Sequence, residues 1–429
     1  MSTPSLLNIP YVIKAGTLYS QIPETGAGDF TVSRTTSPTA NRSTRINADG
    51  FIELVNDNVP RLDYPLGGAV NGCASLLVEP SAKNDCVQSQ GFSTSPWIAT
   101  GVTVTGTTQT NSPDGTQNAF DITIAGTGLL ALRQTIGCAN NTTYTVSCFY
   151  KNKALVAGQT FEMRYTNENL APNNLNAIAT IDLAAGTATY SLFGTSGTGF
   201  SGTATGRVEN YGNGWYRVSM TFTVGSAGAN VNGIFRPIAG VSISRNFYAW
   251  GAQLEVGSVP TSYIPTTTQA ITRGAEVINK TNIASLIGQS EGTIYAEVDI
   301  RNMAKETYIL EIDDGSNTNR VIMRSLTSNL MRGSIVAPGA SGIIGISSAT
   351  FNAGIIKIAF AYKSGDFALS VNGATALTAS GTFTFGASLN RVTLGGVGGG
   401  GFQLNDRIRA VEIHPNRLSN AQLATLTAL

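Results

Sequence analysis

Short stretches in which apolar and polar residues alternate recur along most of this chain, and no other feature constrains its fold as strongly. Clear examples are residues 102–105, 119–124, 144–150, 215–222 and 247–256. Successive side chains of a β-strand point to opposite faces, so each stretch predicts a strand with one buried face. No helical period separates these stretches. Repeated short strands of this kind predict a β-sandwich, most simply a jelly roll, over residues 89–268.

The alternation starts again after a proline- and threonine-rich linker at residues 264–268. The strand-like stretches are then residues 293–300, 308–312, 355–362, 367–373 and 407–413. Ser419 or Asn420 caps a short amphipathic helix that we predict over residues 418–426. We therefore expect a second β-sandwich over residues 275–429. The predicted fold class is all-β, with two sandwiches in tandem.

Residues 1–88 differ in composition from the rest of the chain. The stretch 31–45 is rich in Ser, Thr and Arg and too polar to close a core by itself. Prolines interrupt the short strand-like pieces around residues 50–54 and 59–64. Such a composition is typical of extended chain that lies along another surface, or of an attachment arm. We expect an extended N-terminal arm that attaches the two sandwiches to a partner.

Charge and hydropathy exclude several classes of protein. The chain has 27 Lys and Arg against 26 Asp and Glu, a net charge of +1 that lacks the basic footprint of a nucleic-acid binder. No apolar run reaches the roughly 18 residues that a membrane-spanning helix needs, so we expect no membrane insertion. The N-terminus has no basic start followed by an apolar core. We therefore expect synthesis in a cytoplasm without a signal peptide.

The four cysteines are Cys73, Cys86, Cys138 and Cys148, and none has the Cys-x-x-Cys spacing of a zinc or redox site. Cys138 and Cys148 flank a predicted turn and could face each other across a hairpin. Nothing in the sequence marks the chain as secreted, and disulfide bridges are rare in proteins that stay in a reducing compartment. We therefore expect buried free thiols rather than disulfide bridges.

Six motifs resemble those of tailed-phage and prophage structural proteins. In chain order they are residues 49–53 (DGFIE), 59–64 (VPRLDY), 75–80 (SLLVEP), 214–218 (GWYRV), 250–255 (WGAQLE) and 260–266 (PTSYIPT). In such proteins the middle part is similar to the jelly roll of carbohydrate-binding modules. The C-terminal part, with residues 366–373 and 418–423, is similar to laminin-G and concanavalin-like lectin sandwiches. The resemblance implies a component of a phage particle, such as a fibre or surface appendage.

The sequence offers little for catalysis. Its one histidine, His414, ends a predicted strand, and no Gly-x-Ser-x-Gly turn joins a strand to a helix. Glu297 and Asp299 share one face of a strand, which the alternation makes the ordinary solvent face. The glycine-rich run 394–402 lacks the Gly-Lys-Ser/Thr ending of a phosphate loop, so we expect a flexible loop or a close approach between subunits. We predict that the protein is not an enzyme.

Aromatic side chains provide the candidate carbohydrate-binding residues, because a flat ring can pack against the C–H face of a sugar. Trp97 follows Pro96 in a predicted loop and is the best candidate for an exposed platform. Trp215 and Tyr216 point to opposite faces of one strand, so one of the two should be exposed. Trp250 lies among apolar neighbours and is expected in a core. The alternative is that all of these rings serve only in packing.

The loop after residue 312 provides the candidate metal site. Asp313, Asp314 and Asn317 place several oxygens in a tight turn, which suits Ca²⁺. Lectin-like sandwiches often hold calcium at such rim loops. A polar turn without a metal is the alternative. The sequence requires no cofactor, and calcium at this loop is the one candidate.

These observations together predict a virion protein that binds host or environmental glycans. The N-terminal arm would contact other virion proteins, and copies of the chain would form a homo-oligomer, by analogy with fibres a homotrimer. Linked weak sites would then give avidity. Two alternatives stay open: a capsid-decorating structural protein without a glycan role, and a polysaccharide depolymerase. A head or a tail location is equally compatible with the sequence.

Overall fold

The computed structural model describes most of the chain. The described residues are 3–10, 13–14, 16–66, 72–126, 130–167, 175–193, 199–226, 231–236, 243–340, 344–398 and 401–429. Within these ranges the structure is all-β apart from one short helix and one 3-10 turn. No helix in this part of the chain has the length and apolar character that a membrane span requires.

The N-terminal segment contributes ten strands in its described part. They are β1 (Leu6–Asn8), β2 (Ile13–Lys14), β3 (Thr17–Leu18), β4 (Phe30–Ser33), β5 (Thr36–Ser37), β6 (Ser43–Ile46), β7 (Ile52–Val55), β8 (Leu62–Asp63), β9 (Ser75–Val78) and β10 (Ala82–Asn84).

The middle of the chain forms a β-sandwich, as the alternation predicts. Its described strands are β11 (Ile98–Thr100), β12 (Val102–Gly106), β13 (Phe120–Gly126), β14 (Ala131–Ile136), β15 (Thr143–Asn152), β16 (Phe161–Asn167), β17 (Leu175–Asp182), β18 (Thr187–Phe193), β19 (Phe200–Gly212), β20 (Trp215–Val224), β21 (Val231–Arg236) and β22 (Ile243–Val256). One sheet has the order β11-β14-β21-β16-β17-β18 and the other β12-β13-β22-β15-β20-β19. Cys148, Tyr165, Val218 and Met220 lie in the apolar core between them.

The C-terminal part forms a second sandwich, which is also predicted. β23 (Ile271–Arg273) precedes it, and its own strands in the described part are β24 (Val277–Thr281), β25 (Glu291–Ile300), β26 (Thr307–Asp313), β27 (Arg320–Ser325), β28 (Leu330–Val336), β29 (Ile344–Thr350), β30 (Gly354–Lys363), β31 (Phe367–Val371), β32 (Leu377–Ala379), β33 (Arg391–Leu394) and β34 (Asp406–His414). A 3-10 turn lies at Ala284–Leu286 and the helix α1 at Asn420–Leu426. Ser419 caps α1 with a capping box, as predicted.

Two antiparallel sheets enclose the core of the second sandwich. One has the order β2-β3-β4-β24-β33-β26-β27-β28-β29, and the other β32-β31-β30-β25-β34-β9-β8 with β1 beside β34. Ile294, Ile312, Met323 and Phe360 lie between them. The helix α1 covers part of the outer face of the second of these sheets through Leu423.

The N-terminal segment is extended, but it does not project as a free arm. Strand β1 pairs with β34, β4 with β24, and β9 with β34, so the segment completes both sheets of the second sandwich. Leu6, Phe30 and Leu76 are fully buried in that core. Each piece is too short to fold alone, and the open sheet edges supply its hydrogen-bonding partners. The backbone edges of these strands are therefore paired within the chain and are not free to pair with another protein.

The hairpin β6–β7 of the same segment packs on the first sandwich. Ile46 and Ile52 contact a cluster that includes Trp215, Trp250 and Tyr263 on the outer face of the β12–β22 sheet. The N-terminal segment thus touches both sandwiches. A small sheet of the order β10-β23-β5 lies where they meet.

Candidate binding surface

Trp97 does not form the exposed platform that the sequence suggested. It is only 9% exposed, its ring centroid lies 4.8 Å from that of Phe92, and its indole N–H donates to the Gln88 carbonyl at 3.0 Å. The loop after Pro96 folds back onto the first sandwich, because the apolar indole gains more from that core than from water. This prediction is wrong at Trp97, since a buried ring offers no face to a sugar.

Trp215 and Tyr216 point to opposite faces, as predicted, but neither is a free platform. Trp215 is 1% exposed because the β6–β7 hairpin covers it, and its indole N–H donates to the Asn111 carbonyl at 2.8 Å. Tyr216 is half-buried and packs beside Gly186. Trp250 is fully buried, as expected.

Asp313, Asp314 and Asn317 lie near one another in the chain, but the carboxylates of Asp313 and Asp314 have different partners. Arg391 binds Asp313 through two contacts of 2.8 and 3.1 Å. Asp314 accepts hydrogen bonds from Ser316 and Asn319, which lower its pKa against a raising effect of partial burial. Asn317 is exposed. Because Arg391 already neutralises Asp313, the donors of this loop do not fit a calcium ion as they are arranged.

Among the described residues, no cluster of three or more His, Cys, Asp or Glu side chains could hold a metal ion. His414 is buried beside Glu412, with 3.0 Å between Nε2 and Oε2. Glu297 pairs with Arg409 at 2.6 Å, and Asp299 pairs with Arg301 at 2.8 Å. The two carboxylates that share this strand face are thus each held in an ion pair near the surface.

A buried ion-pair network joins the two sandwiches. Arg61 lies 2.7 Å from Glu79 and 2.7 Å from Glu276, Arg273 lies 2.9 Å from Glu79, and Arg34 lies 3.2 Å from Glu276. All five side chains are at most 5% exposed. The arginines hold the pKa of Glu79 far below its usual range although burial opposes this, and burial lowers the pKa of Arg34 to about 10. Each of these buried charges lies within ion-pair distance of an opposite charge, and removing one of them would leave its partner buried without compensation.

A small polar cleft of about 60 Å³ opens beside this network. Asp406 lines it, is 1% exposed, and accepts the backbone N–H groups of Arg301 and Asn302 at 2.9 and 3.1 Å. Burial raises the pKa of Asp406 to about 7. Since ligand pockets usually measure about 300–1,000 Å³, this cleft is of a size for water molecules.

The outer face of the nine-stranded sheet carries a cross-strand row of polar side chains. Tyr308 stands opposite Arg324, Arg324 opposite Arg332, and Arg332 opposite Ser347, on the neighbouring strands β26 to β29. Met323 and Met331 point into the core, so the adjacent arginines point outward. Neighbouring strands lie about 4.8 Å apart, so this row spans about 14 Å, which suits a short chain molecule.

Phe402 provides an aromatic face at one end of this row. It is 52% exposed, and its ring stacks on Tyr308 with a centroid distance of 5.1 Å and an interplanar angle of 30°. The guanidinium of Arg324 lies 5.6 Å from the Tyr308 ring and 2.6 Å from Glu306. Phe402 has a φ of 52°, a conformation that costs a bulky residue on the order of 1–3 kcal/mol. Phe402 thus combines an exposed aromatic ring with a costly backbone conformation, which makes it a candidate for a functional residue.

Sequence reasoning missed Phe402 because it lies at the end of the glycine-rich run. The lone aromatic residue among glycines at 395–402 was the available signal. Gly398 lies against the Arg391 guanidinium, and its N–H donates to Glu311 at 3.3 Å, so part of this run packs on the sheet. At Gly398 the run is therefore in contact with the sheet, and a flexible loop or a close approach between subunits stays an expectation for this run.

A separate groove of about 580 Å³ lies between the edges of the two sheets of the second sandwich. Ile355 and Leu377 line it and are 43% and 46% exposed. None of the residues that line this groove is charged. The groove therefore lacks the charge of the polar row on the outer face, so a substitution in the groove can serve as a control for one in the row.

No model of a known protein family matches the sequence, and no curated protein matches it. Similar solved structures include the CBM40 of Ruminococcus gnavus IT-sialidase bound to alpha2,3 sialyllactose, at 15% identity over 34% of this chain and 86% of that chain, with a TM-score of 0.30. Domains LG4-5 of the mouse laminin alpha1 chain are similar at 11% identity over 67% of this chain and 88% of theirs, with a TM-score of 0.24. The SAP-like pentraxin of Limulus polyphemus is similar at 16% identity over 32% and 70%, with a TM-score of 0.26. Scores this low do not assign a ligand to the present chain.

Proposed function

We propose that this protein is a non-catalytic saccharide-binding component of a phage particle, and that its second sandwich binds the saccharide on the outer face of the nine-stranded sheet. The observation that carries the proposal is the exposed ring of Phe402, stacked on Tyr308 at one end of a polar row. The apolar C–H face of a sugar ring would pack on Phe402. Arg324 and Arg332 would donate to its hydroxyl or acidic groups.

The rigidity of the surface supports binding. Tyr308 is 4% exposed and sits on a central strand, so the ring beneath Phe402 is fixed before any ligand arrives. The Tyr308 backbone N–H donates to the Phe402 carbonyl at 2.9 Å, which anchors the end of the loop. Preorganised groups lose less entropy on binding.

The place in a phage particle rests on the sequence motifs that resemble phage structural proteins. A flat, open surface supports weak binding by each chain, and a particle that carries many copies would convert weak contacts into avidity. Homotrimers remain the expected assembly by analogy with fibres. Contacts with other virion proteins would then have to use surfaces outside the strands that the N-terminal segment buries.

A glycan array of neutral and acidic bacterial polysaccharides, probed with the full-length protein, tests the proposal. We expect binding to a subset of the saccharides, and we expect Phe402→Ala to weaken it strongly. Leu377→Ala, in the groove of the second sandwich, is the matched control and should bind as the original protein does. Unchanged binding by Phe402→Ala, or loss confined to Leu377→Ala, would contradict the proposed surface.

A structural component without a glycan role is the second candidate. The observation that favours it is the buried ion-pair network, because the phage-like motifs contribute Arg61, Glu79 and Ser262 to it rather than to the outer face. A blank array together with intact folding would support this candidate. Release of reducing ends from any bound polysaccharide would instead support a depolymerase.

A further inference from the structure

We infer that the saccharide bound on this surface is acidic, and that Arg332 together with Arg324 holds its anionic group. The inference rests on the proposed function and narrows it to a class of ligand. It depends on how charge is compensated along the row, which differs between Arg332 and its neighbours.

Most charges on this face are paired within the chain. Arg320 lies 2.9 Å from Glu311, and Arg391 lies 2.8 Å from Asp313. Arg324 lies 2.6 Å from Glu306. Arg332 has no carboxylate partner among the described residues. It therefore differs from Arg320, Arg324 and Arg391, each of which has a carboxylate partner.

Arg332 also stands directly opposite Arg324, in the β27–β28 register. Like charges directly opposite each other on a sheet are destabilising, so this pair works against folding. The Nε atoms of both side chains are buried without an acceptor. Arg332, which has no carboxylate partner among the described residues, and the adjacent Arg324 guanidinium, which Glu306 only partly compensates, form a place where an anionic group is stabilising.

The backbone makes room for this arrangement. Arg332 lies against Gly345 of the next strand, where an added Cβ would collide with its guanidinium. The glycine thus lets the arginine lie flat on the sheet. Arg332 is half-buried and the side chain of Arg324 is 21% exposed, so both remain accessible from the solvent side.

The order of the side chains along the row predicts how a bound saccharide would lie on it. Phe402 stacks on Tyr308 at one end, and Arg332 lies two strands further along. Two strand spacings correspond to about 10 Å. A sugar ring on Phe402 would therefore place the acidic group of a following unit, a carboxylate, sulfate or phosphate, near the two arginines.

The test measures the affinity of the full-length protein for tetragalacturonate, tetramannuronate, a heparin tetrasaccharide and the carboxyl-reduced, neutral forms of the first two. Inorganic phosphate serves as a competitor without a sugar. The variants are Arg332→Gln, Arg332→Lys and Phe402→Ala. Arg409→Gln is the matched control, because Arg409 pairs with Glu297 on the outer face of the other sheet. Circular dichroism confirms that each variant is folded.

We expect the protein to bind at least one acidic tetrasaccharide, with sulfated and carboxylated probes distinguishing the two anions. Arg332→Gln should weaken that binding about tenfold, which corresponds to about 1.4 kcal/mol, and should leave any affinity for the neutral forms unchanged. Arg332→Lys should retain part of the affinity, and Arg409→Gln all of it. Phe402→Ala should weaken acidic and neutral probes alike.

Equal binding of acidic and reduced probes, with no effect of Arg332→Gln, would overturn the inference but keep the proposed function. Binding of none of the acidic tetrasaccharides would overturn the inference, and a blank glycan array in addition would overturn the proposed function as well. Binding that inorganic phosphate abolishes at equal concentration would show an anion site without saccharide recognition, which also overturns the inference.

Discussion

Arg61 and Glu276, which stand 215 residues apart in the chain, form an ion pair of 2.7 Å between side chains that are withdrawn from water. Glu276 also accepts a hydrogen bond from Arg34 and from the backbone N–H of Glu79. The pair ties the N-terminal segment to the chain that leads into the second sandwich. Removing one partner of such a pair leaves a buried charge without compensation.

We therefore expect Glu276→Gln to lower the free energy of unfolding by about 3–5 kcal/mol. Urea denaturation followed by tryptophan fluorescence measures this change. Glu53→Gln is the control, because Glu53 pairs with Arg45 at the surface and should cost less than about 1 kcal/mol. A loss for Glu276→Gln no larger than for Glu53→Gln would contradict the structural role of the network.

Deletion of residues 1–88 should unfold the second sandwich. The truncated chain would lose strands β1, β4 and β9, which pair with β34 and β24, and would expose the core contacts of Leu6 and Phe30. We expect loss of a cooperative thermal transition for residues 275–429 and rapid cleavage by a protease. A truncated protein that keeps the original melting temperature would show that the segment is a separable arm.

Stability should fall as the pH rises from about 4 towards 7 through the contribution of Asp406. Burial raises the pKa of this carboxyl to about 7, above its ordinary value of 3.8. Between these values the folded protein holds a proton that the unfolded chain has lost, so raising the pH favours unfolding. Asp406→Asn cannot titrate.

We expect the stability of Asp406→Asn relative to the original protein to increase by on the order of 2 kcal/mol between pH 5 and pH 7.5. Chemical denaturation at the two pH values measures this difference. Asp366→Asn, which removes an exposed carboxylate, is the control. A difference between Asp406→Asn and the original protein that is the same at both pH values would contradict the role of Asp406.

One thiol per folded chain should react with a thiol reagent. Cys73 is exposed, whereas Cys86, Cys138 and Cys148 are buried and free. Burial raises the pKa of Cys138 and of Cys148 to about 12, so these thiols are neutral and unreactive at neutral pH. Ellman titration should give one fast equivalent in buffer and four in denaturant. Two fast equivalents, or fewer than four in denaturant without reductant, would contradict this arrangement.

The strands of both sandwiches could be predicted from the sequence because alternation is a local property. The stretch 215–222 lies within β20 (Trp215–Val224), and 293–300 lies within β25 (Glu291–Ile300). The strand pairing of residues 1–88 with the second sandwich could not be predicted in this way. Pairing of β1 with β34 joins residues about 400 positions apart, and no local pattern specifies such a contact.

The phage-like motifs illustrate the same limit. Arg61, Glu79, Glu255, Ser262 and Tyr263 belong to four of these motifs, and the structure brings them together at the junction of the two sandwiches. The sequence shows that such residues are present but not that they meet. Their role in the structure is to hold the sandwiches together, so the motifs do not indicate the binding surface.

The aromatic residues show why the candidate site was misplaced. Trp97 and Trp215 have large apolar rings, so their burial stabilises the fold strongly. Each ring is covered by residues from elsewhere in the chain. Phe402 stays exposed because its ring lies on Tyr308, which is already buried beneath it. Exposure of an aromatic ring is a property of the whole fold, which is why residue type alone did not identify it.

A crystal structure of the full-length protein with a bound acidic tetrasaccharide tests the central claim most directly. We expect one sugar ring on the exposed face of Phe402 and the acidic group of another unit against Arg324 and Arg332. A saccharide seated in the groove beside Ile355 and Leu377, with the arginine row left bare, would contradict the account.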